Sequence, residues 1–408
     1  MASRREALKS AAAFAASRAL PLSWGRGASV VGAAFGDRRQ GESAAGPDEA
    51  VSLYDFEPLA KAKMSHAAWE YVNGAAADEI TVRWNREALD RIRLKPQVLV
   101  DVSKLDCRVT LLGREMPFPI LLAPTASQRA THPEGELATT RAAGRRGTTM
   151  VLSTLSNTSV EDVVRAAKSP VWFQLYVQHD RGFTRELVQR AVTAGCQALC
   201  LTVDTPISGA RNREQRARLA MPPGVGFPNL TGLKVPEEKE AHAAPRESSI
   251  FDALLSADLT WKEVGWLQSF AGVPLLLKGV LNPADAERAF KEGVAGIIVS
   301  NHGGRNLDTV PATADALPGV AEKVAGRIPV LMDGGIRRGT DVLKALALGA
   351  TAVLIGRPYV YGLGAAGEDG VARVLKILQQ EFEMAMALTG RPRIRDIDRS
   401  VLWSAQGG

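Results

Sequence analysis

Cysteine is scarce in this chain: three residues among 408, Cys107, Cys196 and Cys200. Their number is odd and no C-x-x-C spacing occurs, which excludes a disulfide scaffold and disfavours a zinc site or a redox pair. No run of about 18 uncharged apolar residues is present, so the chain is not an integral membrane protein of the polytopic kind. An excess of one charge is also missing. The formal net charge is +6, from 50 Lys+Arg against 44 Asp+Glu. Most of that excess sits in residues 1–36, where Arg4, Arg5, Lys9, Arg18 and Arg26 face Glu6 alone. The remainder is close to neutral, and no basic run with interleaved aromatics appears, so a nucleic-acid partner is excluded. Disorder throughout is excluded as well, because 46% of the residues are hydrophobic.

The amino terminus reads as an address. Ser3-Arg4-Arg5-Glu6-Ala7-Leu8-Lys9 precedes an Ala-rich stretch, Ala11 to Ala16. Paired arginines before a mildly apolar segment resemble a bacterial twin-arginine signal, and residues 1–36 are expected to direct export of the folded protein to the periplasm. The alternative is a basic tail on a cytoplasmic protein. Residues 37–50, polar and rich in Gly and Ala, form the expected linker to a body spanning 51–408.

In that body, eight short β-rich runs recur: Ile120–Ala123, Thr149–Ser153, Val171–Val177, Ala198–Val203, Leu275–Gly279, Gly296–Ser300, Val330–Met332 and Ala352–Ile355. Each is continuously apolar rather than alternating, as strands covered on both faces require. Stretches of helical length separate most of them, among them Glu134–Arg146, Phe183–Ala194, Pro283–Glu292 and Thr340–Leu348. Eight alternations predict an α/β fold, a (β/α)8 TIM barrel. The competing doubly wound sheet wants a Gly-rich turn after its first strand, and Ala123-Pro124-Thr125-Ala126 is not one. About seventy residues separate the fourth and fifth runs, and the charged span Lys234–Ser249 within them reads as a mobile cover over the carboxyl face. Leader helices over about Leu53–Tyr71 are expected to close one end.

Chemically active residues gather where the runs end. Gln174 and Tyr176 lie on the third, Thr202-Val203-Asp204 on the fourth, Lys278-Gly279 on the fifth. The sixth runs into Ser300-Asn301-His302-Gly303-Gly304-Arg305, the seventh into Asp333-Gly334-Gly335 and Arg337, the eighth into Gly356-Arg357. The last two offer bare backbone N–H groups, helix starts and guanidinium donors, a phosphate cradle at the customary barrel position. A tight Gly303-Gly304 turn allows His302 and Arg305 both to face one small cavity. Arginine grips a carboxylate by its fork, and histidine takes a proton from a hydroxyl near neutrality. Asp204 would stabilise the resulting imidazolium, and Lys278 would sit where an electron-rich ring develops negative charge. A base, an anion-binding arginine and a phosphate cradle together point to oxidation of a hydroxylated carbon beside a carboxylate.

The segment Ser300-Asn301-His302-Gly303-Gly304-Arg305-Asn306-Leu307-Asp308 resembles the signature of the FMN-dependent 2-hydroxy acid oxidases and dehydrogenases, to which glycolate oxidase, lactate oxidase and mandelate dehydrogenase belong. The resemblance spans roughly residues 52–400. Further matches are Phe173-Gln174-Leu175-Tyr176, Leu201-Thr202-Val203-Asp204, Leu277-Lys278-Gly279, Asp333 through Thr340 and Ile355-Gly356-Arg357-Pro358. It implies FMN as cofactor and oxidation of an L-2-hydroxy acid. His302 corresponds to the base, Asp204 to its acid partner, and Lys278 to the lysine beside the flavin N1 and C2 carbonyl. Arg305 and Arg211 correspond to the carboxylate-binding arginines, and Tyr176 to a tyrosine of the substrate cavity. Pro124, Thr125, Ala126, Ser153, Gln174, Thr202 and Ser300 correspond to flavin contacts. Asp333, Gly335, Arg337, Gly356 and Arg357 correspond to the ribityl and phosphate site.

One register choice matters in the leader. Aligning Gly74 puts Glu70 at a substrate tyrosine position, whereas aligning Asp78 puts Tyr71 there. Tyr71 is the expected residue, because an acid facing a substrate carboxylate would cost binding. There is also a departure: Leu155 stands where glycolate-oxidase-like members carry tryptophan, which points to a longer or aromatic substrate. Electrons are expected to go to oxygen, with a quinone or cytochrome as the alternative acceptor. A flavin-dependent isomerase would lack the His-x-x-Arg arrangement. The family further implies a homotetramer or larger.

Overall fold

A computed structural model describes residues 46–233 and 255–403. Residues 1–36, read from sequence as an export signal, and the span Lys234–Ser249, read as a cover, lie outside the described residues. Eight parallel strands close a barrel: β1 Ile120–Leu122, β2 Met150–Ser153, β3 Val171–Leu175, β4 Leu199–Thr202, β5 Leu275–Lys278, β6 Gly296–Val299, β7 Val330–Met332 and β8 Ala352–Ile355. Every residue of these strands is buried. The continuously apolar runs have the cause inferred from sequence: one face of each strand looks into the barrel and the other onto helices.

The alternation of side chains along the strands builds the site. Leu121, Val151, Trp172, Cys200, Leu276, Ile298, Leu331 and Leu354 fill one inner layer. Two residues further along, on the same inward face and one layer nearer the carboxyl mouth, come Ser153, Gln174, Thr202, Lys278, Ser300 and Asp333. The register confirms the stacking, pairing Ser153 with Gln174 and Thr202 with Lys278. Apolar filling below and polar groups above follow from one period-2 pattern.

The opposite, amino end is plugged by a hairpin, Val109–Leu111 with Arg114–Met116, whose Val109, Leu111 and Met116 join the inner layer. Its strands are only three residues long, and the sequence reading did not separate them from the leader. The leader itself forms α1 Phe56–Lys63, α2 His66–Asn73 and α3 Ile80–Arg91. Between α1 and α2 the chain extends at Met64, and the Ser65 hydroxyl caps α2 by accepting from the Ala68 N–H at 3.2 Å. These helices bear on the carboxyl mouth, where Tyr71, Asn85 and Arg86 line the central cavity.

The barrel helices are α4 Gly135–Arg146, α5 Val160–Ala166, α6 Arg181–Ala194, α8 Trp261–Ala271, α9 Pro283–Lys291, α10 Thr313–Val324, α11 Gly339–Ala347 and α12 Arg357–Leu388. Their starts follow the expected chemistry: the Asp180 carboxylate accepts from the Phe183 N–H at 2.9 Å, and Asn282 caps α9 ahead of Pro283. Between β4 and β5 come a short helix, α7 Asn212–Ala217, and a 3-10 turn, Pro228–Leu230. Asn229 anchors that turn by donating to the Ser156 hydroxyl at 2.8 Å and accepting from the Val160 N–H at 2.9 Å. No described helix is long and apolar enough to cross a membrane. The three cysteines are buried, and burial pushes each thiol up to about 12.

Candidate active site

A cavity of about 1460 Å³, counting its open mouth, lies at the carboxyl ends of the strands. All the site residues named from sequence line it except Asp204 and Ser300. Those two stand directly behind it and hold residues that do line it.

His302 occupies a left-handed turn with φ +58°, followed by Gly303 at +64° and Gly304 at +72°. A side chain at Gly304 would place its Cβ 2.9 Å from the Val82 nitrogen on α3, so this turn can pack against the leader only without one. The turn aims the imidazole into the cavity. Its Nδ1 lies 3.0 Å from Asp204 Oδ1, and its Nε2 lies 3.4 Å from the Tyr176 hydroxyl. Burial works against the Asp204 carboxylate, yet His302, Lys278 and Thr205 outweigh it and hold its pKa below the ordinary value. An ionised Asp204 fixes the proton on Nδ1 and leaves the Nε2 lone pair facing the cavity. Burial, with Lys278 and Arg211 adding to it and Asp204 opposing, lowers the His302 pKa below 6.5, so the imidazole is neutral near pH 7. Burial raises the Tyr176 phenol to about 12, which keeps its proton available for donation.

Below the imidazole lies a chain of charge-bearing groups. Lys278 Nζ donates to Ser300 Oγ at 3.2 Å and is 3.6 Å from Asp333 Oδ2. Ser300 donates to Asp333 Oδ2 at 2.9 Å and accepts from the His302 N–H at 3.0 Å. Burial opposes the ammonium, but Asp333 and Asp204 offset it, so the Lys278 pKa rises and the charge persists. Beside it Gln174 donates to Thr202 Oγ1 at 2.9 Å and accepts from Ser153 Oγ at 3.2 Å, a row of amide and hydroxyl groups on the cavity wall.

Two arginines border the mouth. Arg305 Nη1 donates to the Tyr71 carbonyl at 2.6 Å and the Gly74 carbonyl at 2.8 Å, and its guanidinium lies 5.2 Å from the Tyr71 ring centroid. Arg211 Nε donates to the Arg305 carbonyl at 3.3 Å. Glu214 Oε2 lies 3.3 Å from Arg305 Nη2 and 3.5 Å from Arg211 Nη1. Glu70 is turned away and engaged by Arg213, whereas Tyr71 lines the cavity. The geometry therefore agrees with the register that places Tyr71 at the site.

Toward β7 and β8 the cavity floor is backbone. Gly334 and Gly335 have φ of +94° and +79°, and a Cβ on Gly335 would come within 2.3 Å of the Asn85 carbonyl oxygen. Arg337 donates through its N–H to Asp341 Oδ2 at 2.9 Å, which leaves its guanidinium, bonded to the Ile336 carbonyl, at the cavity edge. Arg357 also lines the cavity, but its three hydrogen bonds go to the carbonyls of Val72, Gly303 and Gly74. It thereby ties α2 to the His302 turn, and burial pulls its pKa down to about 10. The residues fit FMN: a glycine cradle with guanidinium groups suits a phosphate, the Gln174 row suits the polar edge of a flavin ring, and Asp333 Oδ1 is buried without a hydrogen-bond partner.

Several supporting residues escaped the sequence reading. Asn306 Nδ2 donates to the Asp204 carbonyl at 2.9 Å and the Thr205 hydroxyl at 2.6 Å, locking the loop that carries Asp204. Asp308 accepts from the N–H groups of Asp78, Ile80 and Thr81 at 3.1, 3.1 and 2.7 Å, capping α3, whose preceding Glu79 has no side-chain cap. Asn85 and Asn301 exchange amide hydrogen bonds at 2.9 and 2.8 Å. Asn301, Asn306 and Asp308 all stand inside the quoted signature, and that was their only signal, because their partners are distant in the chain.

Three comparisons bear on this arrangement. Residues 60–404 match the family model described as FMN-dependent dehydrogenase. The chain is 48% identical over 362 residues to L-lactate oxidase of Nostoc sp., covering 86% of this chain and 98% of that one. It is 45% identical over 352 residues to glycolate oxidase of Spinacia oleracea, covering 86% and 95%. Among solved structures, a soluble mutant of the membrane-associated (S)-mandelate dehydrogenase of Pseudomonas putida superposes with a TM-score of 0.79 at 38% identity, covering 86% of this chain and 99% of that one.

Proposed function

This chain belongs to the FMN-dependent dehydrogenase family, and from that premise we propose that it oxidises an (S)-2-hydroxy acid to the 2-oxo acid and passes the electrons to oxygen. The observation carrying this reading is the convergence of the His302 Nε2 lone pair and the Arg305 and Arg211 guanidinium groups on one cavity above Lys278. FMN bound there would supply the acceptor for the two electrons and the hydrogen released as the substrate C2–H bond breaks. Gly335, Gly356 and Arg337 would hold its phosphate end, and Ser153, Gln174, Thr202 and Lys278 its ring. Arg305 and Arg211 bind the substrate carboxylate, which orients the adjacent hydroxyl toward His302. Nε2 takes the hydroxyl proton, and Asp204, 3.0 Å behind Nδ1, stabilises the imidazolium that forms. Tyr176 and Tyr71 complete the wall and donate hydroxyl protons toward substrate oxygens.

Oxygen as acceptor is supported by the names of the curated relatives, which include L-lactate oxidase and glycolate oxidase. Leu155 lines the cavity, and an apolar branched wall there supports a substrate with a side chain larger than that of glycolate. The test is anaerobic mixing of the yellow protein with a panel of 2-hydroxy acids, followed by admission of air. Bleaching by lactate-sized or aromatic acids and rapid return of colour in air are expected, with hydrogen peroxide formed. Absence of bleaching by every acid overturns the reaction. A reduced flavin that persists in air and yields to a quinone overturns the choice of acceptor, and best activity on glycolate overturns the substrate class. The paired Arg4-Arg5 ahead of the Ala-rich stretch supports export, tested by fractionating cells that carry the chain with Arg4 and Arg5 replaced by Lys.

A further inference from the structure

Glu214 does not itself line the cavity, but it contacts both arginines that do, and the reaction just described gives it no part. It lies on α7, three residues beyond Arg211, so one helical turn delivers an arginine and a carboxylate to the same place. Its Oε2 stands 3.3 Å from Arg305 Nη2 and 3.5 Å from Arg211 Nη1. Arg305 spends Nη1 on the Tyr71 and Gly74 carbonyls, and Arg211 spends Nε on the Arg305 carbonyl. The remaining donors of the two guanidinium groups are the ones an anionic substrate needs, and a single carboxylate oxygen of the protein touches both. Four other acids around the site are engaged elsewhere: Glu70 and Glu79 by Arg213, Asp204 by His302, and Asp333 by Lys278 and Ser300.

We propose that Glu214 is an affinity-setting residue, an internal carboxylate that occupies the Arg211–Arg305 pair until the carboxylate of the substrate takes its place. The inference rests on the proposed function, since it assumes the pair binds that group. Two guanidinium groups so close repel each other, and Glu214 offsets that repulsion when the site is empty of substrate. An incoming anion must then displace it or share the donors with it, so every anion binds more weakly than the bare pair would allow. A neutral ligand of the same shape meets no such competition. Glu214 is about one quarter exposed, which leaves it room to turn outward once displaced.

The test uses the oxidised holoenzyme and two non-reducing probes, pyruvate and its neutral counterpart pyruvamide, with binding measured by calorimetry. Removing a negative charge that lies within a few ångströms of the anion, in a partly buried site, is worth roughly tenfold or more in affinity. Glu214→Gln is therefore expected to lower the pyruvate Kd about tenfold and to leave that of pyruvamide within about twofold. Glu214→Ala, lacking the amide as well, is expected to change the pyruvate Kd in the same direction. Unchanged or weaker pyruvate binding in both variants overturns the role of Glu214, as does an equal gain for pyruvamide. Wild-type protein that binds FMN but neither pyruvate nor the aromatic 2-oxo acid benzoylformate overturns the proposed function beneath it, a distinguishable result because it precedes any substitution.

Discussion

Asp204→Asn separates charge from geometry behind the imidazole. Asparagine keeps an oxygen near the position of Oδ1, 3.0 Å from His302 Nδ1, so the tautomer and ring orientation survive while the negative charge is lost. Both side chains are largely buried, with 17% and 15% of their surface exposed. A full charge at about 4 Å is worth about 4 kcal/mol at an effective dielectric of about 20. Proton transfer is incomplete in the transition state, so a loss of about 2–3 kcal/mol is expected, or roughly 30- to 150-fold in the rate of flavin reduction. The pH profile supplies the sign. The neutral imidazole is the active form, and its pKa is already below 6.5; Asp204 is what holds it up against burial, Lys278 and Arg211. Removing the carboxylate lowers that pKa further, so the acid limb of the profile moves to lower pH while the plateau falls. Stopped-flow reduction under nitrogen, repeated across the acid and neutral range, reads both quantities, and thermal unfolding checks that the fold is retained. A rate within about threefold of wild type, or an acid limb that stays put or moves upward, refutes the electrostatic account.

Other substitutions probe the scaffold and the cofactor cradle. Asp308→Ala removes the acceptor for three N–H groups at the start of α3 and should cost about 1–2 kcal/mol, read as a lower urea midpoint; it should also raise KM, because the leader carries Tyr71 and the carbonyls that steady Arg305. Gly279→Ala would put a Cβ 2.5 Å from both Cβ and Cγ of Asp204 at φ +109°. About 2 kcal/mol or more of destabilisation is expected together with a fall in turnover, and a variant with normal Tm and kcat would contradict the contact. Arg337→Ala should weaken FMN retention about tenfold or more, measured by ultrafiltration of the holoenzyme, whereas undiminished retention would remove Arg337 from the cradle.

Legibility differed sharply between parts of the molecule. The eight strands were readable because a strand buried on both faces must be apolar throughout, and the carboxyl-end residues were readable because polar groups there have no packing use. The three-residue hairpin under the barrel was not, since three residues are too few to show a period. Nor was the capping of α3 by Asp308, as its acceptor lies more than two hundred residues from the N–H groups it serves. Arg357 carries a mixed lesson: it reaches the cavity as expected, but its hydrogen bonds go to three backbone carbonyls that no local pattern announces.

Periodicity and residue chemistry alone thus determined a closed parallel barrel with an imidazole, guanidinium groups, an ammonium and glycine turns at its mouth, because strand alternation is a local property that puts those residues on one inward face. Which of them meet was decided only in three dimensions. The Asp204–His302 pair, the choice of Tyr71 over Glu70 and the bridging of Arg211 and Arg305 by Glu214 each depend on where separate loops come to rest. Closure of the barrel sets those distances, and they have no counterpart along the chain.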